Sequence, residues 1–235
     1  MSPPPNPLQQ VEGEISPAGP LRQAEGECQP PKNCPLCPRL FEFRDKNRGS
    51  FADFFNDPVP SFGSLSAPLL IVGLAPGLKG ANRTGRPFTG DYAGDLLYAS
   101  LKRHGLARGD YQARADDGFE LQGVRISNAV RCVPPENKPL PVEINTCRQF
   151  LSAEIASMKS LKVILALGQI SHNSVASALK LKKKDHAFAH GARHERDGLT
   201  ILASYHCSRY NTNTGVLTEA MFDAVVAAAK EAAGL

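Results

Sequence analysis

Four short runs of apolar residues, rich in β-branched or aliphatic side chains, have the length and composition of buried strands. They cover residues 69–74, 124–130, 163–167 and 199–204. Segments with helical spacing lie between these runs and after the last one. Strands that alternate with helices predict βα units built around a mostly parallel sheet.

The helical segments repeat apolar residues three and four positions apart, as the buried face of a helix requires. They cover residues 96–101, 144–158, 170–181 and 217–233. The first ends before Gly105, and Thr218 stands where an N-cap is expected for the last. The fold prediction is therefore a single α/β domain of three layers, with a central, mostly parallel four-stranded sheet flanked by helices.

Polar, loop-like residues follow each predicted strand, at positions 73–91, 128–135, 168–172 and 205–215. In an open parallel sheet, ligands bind outside the carboxyl ends of the strands. We therefore expect these four segments to meet at one rim of the sheet and to carry the chemistry.

Composition changes this picture little: the chain has 235 residues, of which 42% are hydrophobic and 21% charged, as in a globular protein. No apolar run approaches the roughly 20 residues of a membrane-spanning helix, and no secretory signal is recognisable. We expect a cytoplasmic protein. Residues 1–31 are rich in proline and poor in large apolar side chains, which predicts a flexible tail before a domain at 32–235.

The formal net charge is +4, and because residues 1–26 are acidic, the remainder stands at about +6. A basic domain favours a polyanionic partner. The run of lysines at 180–184 is interpreted as a solvated helix end, with a role along a DNA track as the alternative.

Four of the six cysteines have a spacing that indicates a metal centre. Cys34 and Cys37 are two residues apart, and Cys132 and Cys147 come from a strand-end loop and the next helix. Four thiolates suit either zinc or an iron-sulfur cluster, and the spacing alone does not separate them. Buried cysteines that only pack as small hydrophobes are the alternative. Cys28 and Cys207 are interpreted as incidental thiols.

The loop after the first strand, residues 73–91, is rich in glycine and carries Arg83, Arg86, Phe88 and Asp91. Glycines let the backbone approach a ligand closely, and these side chains suit a phosphate-bearing substrate. The Gly-Lys-Ser/Thr ending of a phosphate-binding P-loop is missing. A glycine-rich turn with solvated charges remains the alternative.

Residues 73–91 and 127–139, together with 166–168, 190–192 and 204–215, resemble the motifs of the family 5, or type B, uracil-DNA glycosylases. The resemblance covers roughly residues 34–232. It implies a DNA-repair enzyme that flips a deaminated base out of DNA and hydrolyses its N-glycosidic bond. Uracil is the expected base, with hypoxanthine and related lesions also accepted. Cys207 stands where the family usually has proline.

The resemblance also implies the roles of individual residues. Asp91 and His206 are the expected catalytic pair, and Gly77, Phe88 and Asn128 are expected to bind the base. The expected DNA-binding residues are Arg83, Arg86, Arg131, Ser208, Arg209 and Asn211. A four-iron, four-sulfur cluster with a structural role is expected on Cys34, Cys37, Cys132 and Cys147. Family members are expected to act as monomers.

Two alternatives stay open. One is a family 4 type enzyme with a narrower preference for uracil, and the other is a DNA-binding protein that keeps the cluster but has lost catalysis.

Overall fold

The computed structural model describes residues 28–235 of the chain. Its helices are α1 (Pro38–Ser50), α2 (Ala81–Thr84), α3 (Tyr92–Arg103), α4 (Pro141–Ser157), α5 (Gln169–Ala178), α6 (Arg209–Asn213) and α7 (Glu219–Ala233). Its strands are β1 (Leu69–Gly73), β2 (Ala107–Arg108), β3 (Glu120–Leu121), β4 (Val124–Asn128), β5 (Val163–Leu167), β6 (Arg193–Arg196) and β7 (Leu199–Ser204). Short 3-10 turns cover Pro135–Asn137 and Lys183–Asp185.

The main sheet has five strands in the order β4-β1-β5-β7-β6. The first four are parallel, and β6 pairs antiparallel with β7 at the edge. Strands β2 and β3 form a separate two-stranded ribbon. Every residue of β1, β4 and β5 is buried, as expected where both faces of a parallel sheet are covered.

Alternate side chains of β1 pack into two different cores. Leu69 and Ile71 belong to a cluster with α3 and α7, whereas Leu70 and Val72 belong to a second cluster with α4 and α5. The sheet therefore lies between two layers of helices, and the predicted three-layer α/β class is confirmed.

The prediction of four strands missed β6, whose residues are Arg193, His194, Glu195 and Arg196. Three of the four are exposed, because an edge strand that faces water needs no apolar face. Its polar sequence therefore carried no strand signal.

The predicted helices correspond to α3, α4, α5 and α7, with shifts of a few residues at most of their ends. The N-cap prediction is confirmed: the Thr218 side chain accepts a hydrogen bond from the backbone N–H of Met221 at 3.2 Å. Helix α1 was not predicted, because it buries the polar residues Arg44 and Asn47 beside a single leucine, Leu40. No helix among residues 28–235 is long and apolar enough to cross a membrane.

The start of the domain lies earlier than residue 32. Cys28 is fully buried, and the Gln29 side chain accepts hydrogen bonds from the Ser61 backbone N–H and from Arg131. Residues 28 and 29 are therefore part of the packed domain, which corrects that end of the predicted tail. The rest of the tail, residues 1–27, lies outside the described residues, and its flexibility stays a prediction.

Candidate active site and cysteine centre

A cleft of about 720 Å³ opens where β1 and β7 end. Its walls come from the loop after β1, the start of α3 and the segment after β7. The sequence predicted such a meeting of segments at the carboxyl ends of the strands. The polar residues that line it include Lys79, Asp91, Asn137, His206, Ser208 and Arg209.

Asp91 is the N-cap of α3, and its Oδ1 accepts a hydrogen bond from the Gly94 backbone N–H at 3.1 Å. Its Oδ2 faces the loop after β1, where Cβ atoms added to Gly77 and Gly80 would lie only 3.3 and 2.4 Å from it. Burial raises the pKa of Asp91 above its ordinary value of 3.8, although the helix amides oppose this. The cleft therefore holds a partly desolvated carboxylate in a fixed position.

Phe88 and Asn128 meet at the end of β1. A Cβ added to Gly73 would lie 2.4 Å from Phe88 Cζ and equally close to Asn128 Oδ1, so only a glycine leaves room for both. Both side chains are buried, with exposures of 6% and 3%. The structure thus brings together two of the three residues predicted to bind the base, and Gly77 lies on the same loop.

His206 stacks on Phe88, with ring centroids 6.0 Å apart and an angle of 25° between the planes. Burial lowers the pKa of His206 to about 4, so the imidazole is neutral at neutral pH. The Asn211 side-chain amide donates to the His206 carbonyl at 2.8 Å and fixes this loop. Asn211 therefore positions the histidine, a role the sequence did not reveal.

Cys207 ties the same loop to α3. Its side chain is fully buried, and the S–H donates to the Ala93 carbonyl at 3.4 Å. Burial, helped by the charge of Asp91, raises the pKa of Cys207 well above its ordinary range. The residue is a neutral packing group beside the site.

Three of the predicted DNA contacts are accessible. Arg83 and Arg209 are exposed, and the Arg209 guanidinium lies 5.3 Å from the centre of the Tyr92 ring at the cleft. The Ser208 hydroxyl lines the cleft and caps α6 by accepting from the Asn211 N–H.

The structure corrects the predicted DNA contacts of Arg86 and Arg131, because both side chains are buried. Arg86 is 4% exposed and forms two hydrogen bonds with Asp117, of 2.7 and 2.8 Å. Arg131 is 1% exposed and donates to Glu154 at 2.6 Å. Their prediction as DNA contacts is wrong: both cations are neutralised inside the protein.

Sequence reasoning missed Lys79 and Asn137 as cleft residues. Both lie in segments that had been recognised, one in the glycine-rich loop and the other beside the second strand-end loop. No spacing rule distinguished them from their polar neighbours. Lys180, Lys182 and Lys184 do not line the cleft, and a role of this run along a DNA track stays the alternative to a solvated helix end.

The four predicted ligand cysteines surround one small cavity. Cys34 and Cys37 precede α1, Cys132 follows β4, and Cys147 lies on α4. The rest of the lining is mostly apolar and includes Leu36, Leu40, Val130 and Phe150.

Two donors point at sulfur atoms in this cysteine centre. The Arg131 backbone N–H donates to Cys147 Sγ at 3.4 Å, and the buried Arg44 guanidinium donates to Cys132 Sγ at 3.5 Å. Burial, helped by the neighbouring cysteines, raises the pKa of Cys37 to about 11 and that of Cys132 to about 12. Several thiolates here require a compensating positive charge.

Within residues 28–235, no three histidine, cysteine or acidic side chains form a group that could hold a metal ion. A mononuclear zinc site needs its ligands to converge on one point, whereas each cysteine of an iron-sulfur cluster binds a different iron. The four cysteines line one cavity, and the kind of metal centre they hold stays a prediction.

Comparison with known families agrees with this fold. The family model described as "Uracil DNA glycosylase superfamily" matches residues 60–230, and the chain belongs to this superfamily. Within it, the chain is similar to the type-5 uracil-DNA glycosylase of Thermus thermophilus, with 43% identity over 86% of this chain and 94% of that protein.

A second type-5 relative is also more similar to this chain than a type-4 relative is. The type-5 uracil-DNA glycosylase of Mycobacterium tuberculosis is 41% identical over 86% of this chain and 79% of its own length. The type-4 uracil-DNA glycosylase of Sulfurisphaera tokodaii is only 28% identical, over 81% of this chain and 77% of its own length. The resemblance to family 5 is therefore confirmed.

Proposed function

We propose that this protein is a DNA-repair glycosylase that removes uracil from DNA by hydrolysing its N-glycosidic bond and leaves an abasic site. The observation that carries this proposal is the Asp91 carboxylate, held in the cleft by the first turn of α3 beside the stacked Phe88 and His206. The superfamily match and the type-5 relatives support the same activity.

The target base is unreachable inside a duplex, so it must first be turned out of the helix. Unstacking costs a few kcal/mol, and an aromatic side chain in the pocket offsets about 1–3 kcal/mol of it. Phe88 provides that surface. Asn128, held beside it, offers both a donor and an acceptor to the edge of the base.

Scission of the bond places positive charge on the sugar and negative charge on the departing base. In this proposal, ionised Asp91 orients the attacking water and stabilises the cationic sugar. His206 is neutral because its pKa is about 4, so it assists the departing base as a hydrogen-bond donor and not as a cation.

The DNA strand needs cations at the edge of the cleft. Lys79 and Arg209 line the cleft, and the exposed Arg83 lies beside Gly90 of the cleft wall. We assign these three cations to phosphates on either side of the extruded nucleotide. Ser208 lies in the same wall. Such contacts release counterions, so binding should weaken steeply as salt rises.

We also propose a four-iron, four-sulfur cluster on Cys34, Cys37, Cys132 and Cys147. When bound, it supplies no step of the hydrolysis and acts as a structural link. These cysteines join the segment before α1 to the loop after β4 and to α4. The Arg44 guanidinium and the Arg131 backbone N–H donate hydrogen bonds that thiolate sulfurs would accept.

The range of bases is a further part of the proposal. Hypoxanthine and related deaminated bases suit an amide reader such as Asn128, and Gly77 contributes no side chain that would narrow the cleft. We expect the enzyme to act as a monomer in the cytoplasm.

One assay tests the function and separates it from its alternatives. Labelled duplexes that carry uracil, hypoxanthine or ethenocytosine are incubated with the full chain, and alkali-labile sites are scored. Cleavage at uracil and hypoxanthine supports the proposal. Cleavage at uracil alone favours the narrower, family 4 type enzyme, and binding without any cleavage would show a DNA-binding protein that has lost catalysis.

A further inference from the structure

Two loops are bonded together beside the cleft. We call residues 86–91, which carry Phe88 and Asp91, the catalytic loop, and residues 109–119 the flanking loop. The Tyr111 hydroxyl, on the flanking loop, accepts a hydrogen bond from the Gly90 N–H at 3.1 Å and donates to the Phe88 carbonyl at 3.4 Å. One hydroxyl thus binds the backbone on both sides of Thr89, directly before Asp91.

The backbone held in this way is strained. Phe88 has φ +53°, a left-handed conformation that residues other than glycine rarely adopt. Such a residue stays in place only when its surroundings fix it. The Tyr111 hydroxyl contacts the carbonyl of the strained residue itself.

Helix α3 closes the other side of this contact. A Cβ added to Gly94 would lie 1.6 Å from the Phe88 oxygen and 3.0 Å from the Tyr111 hydroxyl. The Phe88 carbonyl is therefore confined between the hydroxyl and the first turn of the helix that Asp91 caps. A shift of this carbonyl would be transmitted to Asp91 through the two residues between them, Thr89 and Gly90.

The flanking loop is itself anchored. Asp117 forms a two-bonded ion pair with Arg86 at the start of the catalytic loop, and it accepts hydrogen bonds from the Gln112 and Phe119 N–H groups at 3.0 Å each. The Arg86 guanidinium also lies 5.8 Å from the centre of the Tyr111 ring. The ring of Tyr111 is thereby fixed independently of its hydroxyl.

We propose that Tyr111, anchored through the Asp117–Arg86 pair, is a positioning residue for the reaction: its hydroxyl sets the backbone before Asp91 and so aims the carboxylate. This inference rests on the proposed function, because it needs Asp91 to act on the substrate.

A double-mutant cycle tests it. Tyr111→Phe keeps the ring and removes only the hydroxyl, so the fold is retained while two hydrogen bonds are lost. Loss of a bond of this kind corresponds to about a three- to tenfold fall in the single-turnover rate on a uracil-containing duplex. We expect unchanged affinity for that duplex. In the Asp91→Asn background, Tyr111→Phe should cause no further fall, because the group it positions is gone.

Thr200→Val is the matched control. It also removes one hydroxyl. Thr200 lies at the start of β7, away from the cleft, and donates a hydrogen bond to Glu195 on β6. We expect its single-turnover rate to equal that of the unaltered protein.

Each remaining outcome has a distinct meaning. If Tyr111→Phe cleaves at the normal rate, or if it lowers the rate equally with Asp91 and with Asn at that position, the positioning role is overturned. If Asp91→Asn alone leaves the rate unchanged, the proposed function fails at its catalytic residue, and the positioning role fails with it.

Discussion

The Asp91 carboxylate lies directly against the backbone of Gly80. A Cβ added to Gly80 would be 2.4 Å from Asp91 Oδ2 and 2.9 Å from its Cγ, and both distances are too short for a real Cβ atom. The absence of a side chain on the loop after β1 therefore creates the space in which the carboxylate sits. This contact links the glycine-rich sequence of that loop to the chemistry of the cleft.

Gly80→Ala should therefore displace the carboxylate. A misplacement of about 1 Å at a reacting group costs on the order of 10²-fold in rate, and we expect a loss of this size in single-turnover cleavage. DNA affinity should remain close to that of the unaltered protein.

Gly77→Ala is the matched comparison, because a Cβ there would lie 3.3 Å from the same oxygen, where a small adjustment suffices. The single-turnover cleavage rate of Gly77→Ala should fall much less than that of Gly80→Ala. Equal rates for the two variants would contradict the steric account of how Asp91 is held.

The partly buried His206 predicts a pH dependence of stability. The pKa of His206 is about 4 in the folded protein, below its ordinary value of 6.5, so between these values the unfolded chain binds more protons. The contribution of His206 is therefore fully present above 6.5 and is lost as the pH falls towards 4.

We expect this residue to account for about 1–2 kcal/mol of the unfolding free energy lost between about pH 7.5 and about pH 5. Urea unfolding of the unaltered protein and of His206→Asn at both values measures it. The variant should lose less stability on acidification, and an identical loss in both proteins would show that the histidine is not desolvated.

The cysteine centre predicts a selective loss of iron. Cys132→Ser should lower the iron content from about four per chain, together with the visible absorbance of the cluster. Cys207→Ser is the control, since this buried cysteine lies outside the centre and bonds only the Ala93 carbonyl. Stoichiometric zinc without iron, in protein purified without air, would contradict the proposed cluster.

Glu154 holds a buried network together. Its side chain is fully buried and accepts from Arg125 and Arg131 at 2.6 Å each and from Ser127 at 2.7 Å. Glu154→Gln leaves two buried guanidinium groups without their counter-ion, and we expect a cost of about 3–5 kcal/mol in unfolding free energy.

Glu195→Gln provides the comparison. It breaks an exposed pair with Arg193, and exposed pairs contribute about 0–1 kcal/mol. Urea unfolding of both variants measures the difference. A similar small loss in each would show that the Glu154 network does not stabilise the fold.

The core of the fold could be predicted from the sequence because burial leaves a pattern. The continuous apolar runs of β1 and β5 exist because both faces of those strands are covered by helices. Strand β6 could not be found, because it pairs with β7 through its backbone at the edge of the sheet. Its exposed arginines and glutamate therefore leave no apolar pattern in the sequence. Helix α1 was missed because it buries an arginine, and burial of Arg44 depends on partners distant in sequence.

The site was predictable as far as residue types and strand ends determine it. Asp91, Phe88, Asn128 and His206 all lie at the expected rim. The error concerned arginine, because sequence position does not tell an exposed cation from one paired in the interior. Arg86 lies only three positions after the exposed Arg83, yet it is paired in the interior with Asp117, 31 positions away.

The central claim is that the Asp91 carboxylate carries out the hydrolysis, and Asp91→Asn tests it most directly. Single-turnover cleavage of a uracil-containing duplex is measured beside the affinity for the same duplex. We expect the rate to fall about 10²–10⁴-fold while the affinity is retained. A fully active variant with normal affinity would contradict the account.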